Sequence, residues 1–188
     1  MSTFIAIDSY DANDTKALSS YFEANVYPYL QSKGFSMTPC FGPLARPHYV
    51  AKAATGPGVT LLTGAGHGTY TTFNGFGGEP VFSVGGYTAD VVRGKIAHFL
   101  SCENGQKLGP DFVVNGCLAY IGYDENFTFD PVFGDLFFKC DGEITRGLAD
   151  GLSVGDAVTQ AKRLYTQTIA DLMAQGTADA ADAAHRLQ

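Results

Sequence analysis

Short apolar runs separated by glycine- and proline-rich turns dominate the hydrophobic pattern of this chain. Runs of this length, bounded by turn residues, are typical of buried β-strands. The pattern therefore predicts strands at 3–8, 35–40, 58–64, 79–86, 95–101 and 117–123.

Between these runs, apolar residues recur at helical spacing. Leu18, Phe22, Val26 and Leu30 lie four residues apart in a predicted helix over 14–34, which Pro28 should bend. The pattern predicts a shorter helix at 46–55, a helical turn at 108–116 and a helical C-terminal part from 130 onwards. Ser153 and Asp156 form a capping signal for the last long helix, whose apolar side follows from Val154 to Leu172.

Strands that alternate with helical connections predict an α/β fold, a three-layer α/β/α sandwich with a mostly parallel sheet. We expect a single domain over residues 1–175 and a frayed Ala/Asp-rich tail over 176–188. Sheets of this kind bind ligands at the carboxyl ends of their strands, so the loops that follow the strands are the first place to look for chemistry.

Charge and targeting signals narrow the function classes. The 188 residues carry a formal net charge of −7, which argues against a general binder of nucleic acid or anionic membranes. No apolar run approaches the roughly 18 residues of a membrane span, and the first residues lack the basic and apolar regions of a signal peptide. We therefore expect a cytoplasmic protein with reduced thiols.

The four cysteines are Cys40, Cys102, Cys117 and Cys140, and they form neither a CxxC pair nor a zinc-finger spacing with histidine. We therefore expect no metal site and no cofactor. Cys40, Cys117 and Cys140 read as buried packing residues. His98 reads as a packed histidine within a strand, whereas His48 and His185 read as surface residues.

Two apolar runs end in residues that could perform nucleophilic chemistry. "LLTGAGHGTY" places His67 between glycines after one predicted strand, and "AHFLSCENG" places Cys102 after the next buried one, 35 residues later. A nucleophilic cysteine needs a nearby base and donors for the oxyanion. His67 would supply the base, and the N–H groups of Gly68 and Cys102 would supply the donors.

These paired blocks resemble the caspase-like clan of cysteine peptidases, nearest to its gingipain-type and CHAT-domain branch. "GCLAYIGYDENF" is similar to the strand that follows the nucleophile in that branch, and "GLSVGDAVTQAK" is similar to its late helix. The resemblance runs from about Thr60 to Lys162. It implies a caspase/hemoglobinase fold and a catalytic His67–Cys102 dyad that cleaves peptide or protein substrates.

The segment that follows Cys102 is shorter than the corresponding segment of caspases. Cys117 follows Cys102 by only 15 positions, which leaves no room for a long cleavable intersubunit linker. We therefore expect the intact single chain to be competent and its regulation to come from loop ordering or a regulatory protein partner.

Acidic residues follow the last predicted strand. Residues 122–135 contain Asp124 and Glu125 and no lysine or arginine. In residues 101–110 the only basic residue is Lys107. An acidic pocket would repel an acidic P1 side chain and attract arginine or lysine. We therefore expect a basic or neutral P1 residue, with Asp124 or Glu125 as the substrate-binding acid, although the default interpretation of this pair is a solvated loop.

Two other functions remain open at this stage. A non-catalytic caspase-like module for binding or signalling would suit the small size, although the presence of both His67 and Cys102 counts against it. A nucleotide-binding domain built on "GAGHG" is weaker, because this loop lacks the GxGxxG spacing.

Overall fold

A computed structural model describes residues 2–188 of the chain. The described residues divide into two compact units, 2–127 and 128–188, which are described separately below. The first unit contains all the described strands and all the candidate site residues: His67, Gly68, Cys102, Asp124 and Glu125.

The first unit is built on a five-stranded sheet in which every neighbouring pair is parallel. Its strands are β1 (Thr3–Asp8), β2 (Ser36–Phe41), β3 (Val59–Ala65), β7 (Ile96–Leu100) and β8 (Ala119–Ile121). Their order across the sheet is β2-β1-β3-β7-β8, so β3 is the central strand, with β1 on one side and β7 on the other. The predicted α/β class with a mostly parallel sheet is confirmed.

Helices cover both faces of this sheet, which gives the three-layer α/β/α arrangement. On one face, Phe4 and Asp8 contact Tyr27 of the first helical segment. Ile5 and Ile7 point to the other face, because successive side chains of a strand alternate, and there they share a core with the third and fourth helices. The helices of this unit are α1 (Asn13–Tyr21), α2 (Tyr27–Ser32), α3 (Pro47–Ala54) and α4 (Leu108–Val114).

A π-helical turn, Phe22–Val26, joins α1 to α2. Pro28 has no N–H to donate to the preceding turn, and the N–H of Tyr27 bonds the carbonyl of Phe22, five residues back. The long helix expected over 14–34 is therefore present, with its irregular turn just before the proline.

A second, antiparallel sheet lies beyond β3. It consists of β4 (His67–Thr69), β5 (Thr72–Asn74) and β6 (Pro80–Ser83), in that order. Its last strand falls within the strand predicted at 79–86, whereas its first two strands were not expected from the sequence. Phe73 and Phe82 of this sheet are buried in the core with Phe99 of β7. The loop that carries His67 is therefore a hairpin anchored by aromatic packing.

The second unit contains α5 (Gly134–Ala149), α6 (Val154–Ala174) and α7 (Ala178–Arg186). The predicted cap of α6 is confirmed, since the side chain of Ser153 accepts a hydrogen bond from the N–H of Asp156 at 3.1 Å. Helix α7 lies within residues 176–188, which we expected to be frayed. Fraying is a property of their motion, so it stays a prediction.

Within residues 2–188, no helix combines the length and the apolar character needed to cross a membrane.

Candidate functional site

His67 follows the central strand β3 at the carboxyl edge of the sheet. The N–H of Gly66 donates to the carbonyl of Leu100 at 3.3 Å, so the chain leaving β3 stays beside the end of β7. His67 then opens the hairpin, paired with Asn74, and its side chain is exposed. The imidazole is therefore accessible to a molecule bound at this edge.

Cys102 comes two residues after the end of β7, in the turn that follows the strand. Its side chain is partly exposed, and its thiol lies 3.8 Å from the carbonyl oxygen of Phe127. The three other cysteines are buried, as predicted, and burial raises the thiol pKa of each of them, that of Cys40 to about 11. Cys102 is therefore the one accessible thiol among residues 2–188.

The loops that carry His67 and Cys102 are in direct contact. An ideal Cβ placed on Gly68 would lie 2.6 Å from the carbonyl oxygen of Cys102 and 2.6 Å from the hydroxyl oxygen of Ser101. Real Cβ atoms do not approach other atoms so closely, so only glycine fits here without movement of its neighbours. The glycine after the histidine thus allows the hairpin to lie against the Cys102 turn.

The Cys102 turn is held from its other side by the segment after β8. The N–H of Glu103 donates to the carbonyl of Glu125 at 3.0 Å, and the N–H of Gly105 donates to the carbonyl of Tyr123 at 2.7 Å. The side-chain amide of Gln106 donates to the carbonyl of Asp124 at 2.5 Å. The backbone of the acidic pair predicted to bind substrate is therefore bonded to the turn that carries Cys102, and both acidic residues are exposed.

The tip of the His67 hairpin also contacts the start of α4. The carbonyl of Tyr70 accepts hydrogen bonds from the N–H groups of Lys107 and Leu108, at 3.1 and 3.0 Å. The ammonium group of Lys107 lies 5.6 Å from the centre of the Tyr70 ring, within cation–π range. Both ends of the loop between β7 and α4 are thus fixed by neighbouring chain segments.

An open groove of about 650 Å³ lies next to this loop. Asp124 and Gly105 contribute to its wall nearest the Cys102 turn, whereas His67 and Cys102 do not line it. The complete lining consists of Gly105, Gly109, Pro110, Val113, Val114, Tyr120, Gly122 and Asp124. The groove is thus mostly apolar, with one acidic residue.

A buried carboxyl group lies at the end of β1, next to the end of β3. Asp8 is fully buried and accepts hydrogen bonds from the N–H of Ala65 at 3.0 Å and from the hydroxyl of Tyr27 at 2.9 Å. Its burial raises the carboxyl pKa from 3.8 to about 8, against the opposing effect of these donors, and the charge of Glu23 adds to the rise. Asp8 thus joins the end of β1 to the end of β3 at Ala65, two residues before His67.

His98 and the question of a metal site were also considered in the sequence. His98 is buried in β7, at 1 % exposure, which confirms its reading as a packed histidine. Within residues 2–188, no group of three or more His, Cys, Asp or Glu side chains is arranged to hold a metal ion.

Three residues that the sequence reasoning missed support this site: Asp8, Ser101 and Asn104. All three are polar and buried near the carboxyl ends of β1 and β7. Polar residues immediately after apolar strands were the available signal, because polar groups are seldom buried without a structural or functional reason.

Comparisons of the chain with protein-family models, with curated proteins and with solved structures found no match in any of the three. The functional argument therefore rests on the residues and their geometry.

Proposed function

We propose that this protein is a cysteine endopeptidase that uses His67 and Cys102 to hydrolyse peptide bonds. The observation that carries the proposal is the contact of Gly68 with the Cys102 turn, because it joins the loop of an exposed imidazole to the loop of a partly exposed thiol at the carboxyl edge of one parallel sheet. Parallel α/β sheets bind their ligands at this edge. The resemblance of the two sequence blocks to the caspase-like clan adds to it.

In the proposed reaction, His67 takes the thiol proton and the sulfur of Cys102 attacks the scissile carbonyl carbon. The N–H groups of Gly68 and Cys102 donate to the oxyanion of the tetrahedral intermediate. His67 then gives its proton to the leaving amine, the C–N bond breaks, and a thioester forms. Water, deprotonated by His67, then attacks the thioester carbonyl carbon. The C–S bond breaks, His67 gives its proton to the leaving thiolate of Cys102, and the released carboxylic acid ionises in solvent.

The proposed substrate carries a basic or neutral residue at P1. Asp124 is the acidic residue of the groove beside the Cys102 turn, and Glu125 follows it in the same exposed segment. A guanidinium or ammonium group on the substrate would pair with a carboxylate there, whereas an acidic side chain would be repelled.

The proposed enzyme works as an intact single chain. Helix α4 occupies half of the segment between Cys102 and Cys117, and only 103–107 and 115–116 lie outside it. Activation would then depend on loop ordering or on a regulatory protein partner. All four thiols are unpaired, which agrees with work in a reducing compartment such as the cytoplasm.

A non-catalytic binding or signalling module is the second candidate. The apolar groove favours it, since an exposed groove of this composition is typical of recognition sites. A binding module would need neither an accessible thiol nor an imidazole on the adjoining loop, so the reactivity of Cys102 separates the two functions.

The test is covalent labelling with a peptide that carries a thiol-reactive group at its P1 carbonyl and lysine or arginine at P1. We expect one label per chain on Cys102 and at least a tenfold loss of labelling rate in His67→Ala. His185→Ala is the matched control, because His185 is an exposed histidine on α7 in the second unit. Equal labelling of wild type and His67→Ala would contradict the peptidase and favour the binding module.

A further inference from the structure

The turn that carries Cys102 is closed by a hydrogen bond between two buried side chains. Ser101 precedes Cys102 and Asn104 follows it by two residues, and they are 3 % and 0 % exposed. The side-chain amide nitrogen of Asn104 donates to the hydroxyl oxygen of Ser101. Because the two partners flank Cys102 and Glu103, this bond fixes the two ends of the turn relative to each other.

The turn needs such a constraint because its backbone is unusual. Glu103 has a φ of 57°, in the left-handed region that residues other than glycine rarely adopt. A single residue held there costs of the order of 1 kcal/mol or more, and it persists only where its surroundings enforce it. The Asn104–Ser101 bond closes the turn around this residue.

The same bond reaches the hairpin that carries His67. The hydroxyl oxygen of Ser101 is one of the two atoms that lie 2.6 Å from the ideal Cβ position on Gly68. The other atom is the carbonyl oxygen of Cys102 itself. The position of Ser101 therefore determines how closely the Gly68 backbone approaches Cys102.

Burying this amide is not explained by packing alone. The carbonyl oxygen of the Asn104 side chain has no hydrogen-bond partner among residues 2–188 and lies against Gly122, where a Cβ would collide with it. A buried polar atom without a partner costs about 1–3 kcal/mol. A leucine of similar size would avoid this cost, but it could not donate to Ser101.

We propose that Asn104 is a positioning residue: its donation to Ser101 holds the N–H groups of Gly68 and Cys102 so that they converge on one oxyanion. This inference rests on the peptidase function proposed above. Asn104 is buried below the turn and acts through Ser101, so its loss should slow the covalent step and leave binding of the peptide nearly unchanged.

Asn104→Asp tests the direction of the bond, because a protonated carboxyl group can donate to Ser101, whereas the carboxylate can only accept from the Ser101 hydroxyl and so reverses the bond. We expect the maximal rate of labelling by the peptide reagent to be within about threefold of wild type near pH 5. Relative to wild type, the rate should fall at least tenfold further as the pH rises to 8. The apparent binding constant of the reagent should change less than threefold at each pH.

Ser101→Ala separates this effect from the new negative charge beside Cys102. In the Ser101→Ala background, Asn104→Asp should add no further pH dependence, because the acceptor is gone. A pH-dependent loss that persists in this background overturns the proposal, and so does an Asn104→Asp chain whose rate relative to wild type is the same at all pH values. Asn115→Asp is the matched control, because Asn115 follows the end of α4 and its side-chain amide donates to the carbonyl of Asp111, away from Ser101.

Nuclear magnetic resonance keeps the proposal testable whether or not the chain is a peptidase. In Asn104→Asp, the amide resonances of both Gly68 and Cys102 should titrate with the pKa of the introduced carboxyl group, and the Gly68 titration should disappear in the Ser101→Ala background. A Gly68 resonance that does not titrate overturns the proposal. If wild type is unlabelled, the peptidase function fails, and the resonance titration alone decides the role of Asn104.

Discussion

Gly68 and Cys102 lie so close that an ideal Cβ on the glycine would be 2.6 Å from the carbonyl oxygen of the cysteine. The second obstructing atom, the hydroxyl oxygen of Ser101, belongs to the same turn. Any side chain at position 68 must therefore push the His67 hairpin and the Cys102 turn apart. The chemistry proposed for the two loops depends on this contact.

Gly68→Ala should accordingly separate the two loops. We expect a drop of at least tenfold in the rate of Cys102 labelling by the peptide reagent, because the two proposed oxyanion donors no longer converge. The free energy of unfolding should fall by about 1–3 kcal/mol, the usual cost of an overpacked site. Denaturant titration and labelling kinetics on the same samples measure both effects.

Gly77→Ala is the control for the loss of a glycine in the same unit, since nothing lies within 4 Å of its Cβ position. Its φ of 71° makes it a demanding control for stability. Its labelling rate should nevertheless stay near that of wild type. A Gly68→Ala chain that is labelled as fast as wild type would show that the contact does not serve the reaction.

The buried carboxyl of Asp8 should make stability fall as the pH rises. Burial raises its pKa from 3.8 to about 8, so between these values the folded chain keeps a proton that the unfolded chain has lost. The stabilisation is complete below about pH 4 and is lost as the pH rises through about 8, by at most about 1.4 kcal/mol per pH unit.

Asp8→Asn removes this titration and keeps an acceptor for the N–H of Ala65. Urea unfolding of the two chains at pH 5, 6.5 and 8 should give a free energy that falls more steeply for wild type than for the variant. Parallel pH profiles would mean that Asp8 does not titrate in this range.

Phe99 should be a main contributor to the stability of the first unit. It is fully buried in β7, with its ring centre 4.4 Å from that of Phe73 in the hairpin sheet and 6.2 Å from that of Phe112 in α4. Phe99→Ala should lower the free energy of unfolding by about 3–5 kcal/mol. Val114→Ala, at a residue 86 % exposed, should change it by less than about 0.5 kcal/mol. Similar losses in both variants in chemical denaturation would contradict this assignment.

The substrate preference is predicted to depend on the acidic pair. Asp124→Ala combined with Glu125→Ala should reduce the ratio of cleavage after arginine or lysine to cleavage after neutral residues by at least tenfold, because no carboxylate remains to pair with the basic side chain. A mixed peptide library profiled with both chains measures this ratio. Unchanged cleavage after arginine and lysine would exclude these two residues, and dominant cleavage after aspartate in wild type would overturn the predicted preference.

The sequence predicted the parallel sheet because its strands are continuous apolar runs, which only a sheet buried on both faces requires. It did not predict the hairpin β4–β5, because "HGTYTTFNG" contains glycines and threonines in place of a regular alternation of apolar and polar residues. Only Phe73 enters the core there, so tertiary packing determines this structure more than local propensity does.

The candidate site was also predictable only in part. His67 and Cys102 follow strands that proved to be neighbours, and strand order sets their proximity. The roles of Ser101 and Asn104 could not be read from the sequence, since the burial of a short polar side chain depends on what the fold places above it. The left-handed backbone at Glu103 was equally hidden, because no glycine occupies that position.

Hydrolysis of peptide bonds by the intact chain is the most direct test of the central claim. Wild type, Cys102→Ala and the control Cys117→Ala are incubated with a mixed peptide library, and new amino termini are identified by mass spectrometry alongside the intact mass of each protein. We expect cleavage by wild type with no cut between residues 102 and 117, loss of cleavage in Cys102→Ala, and retained cleavage in Cys117→Ala wherever that variant remains folded. Cleavage that persists in Cys102→Ala, or a folded wild-type chain that cleaves nothing in the library, would contradict the account.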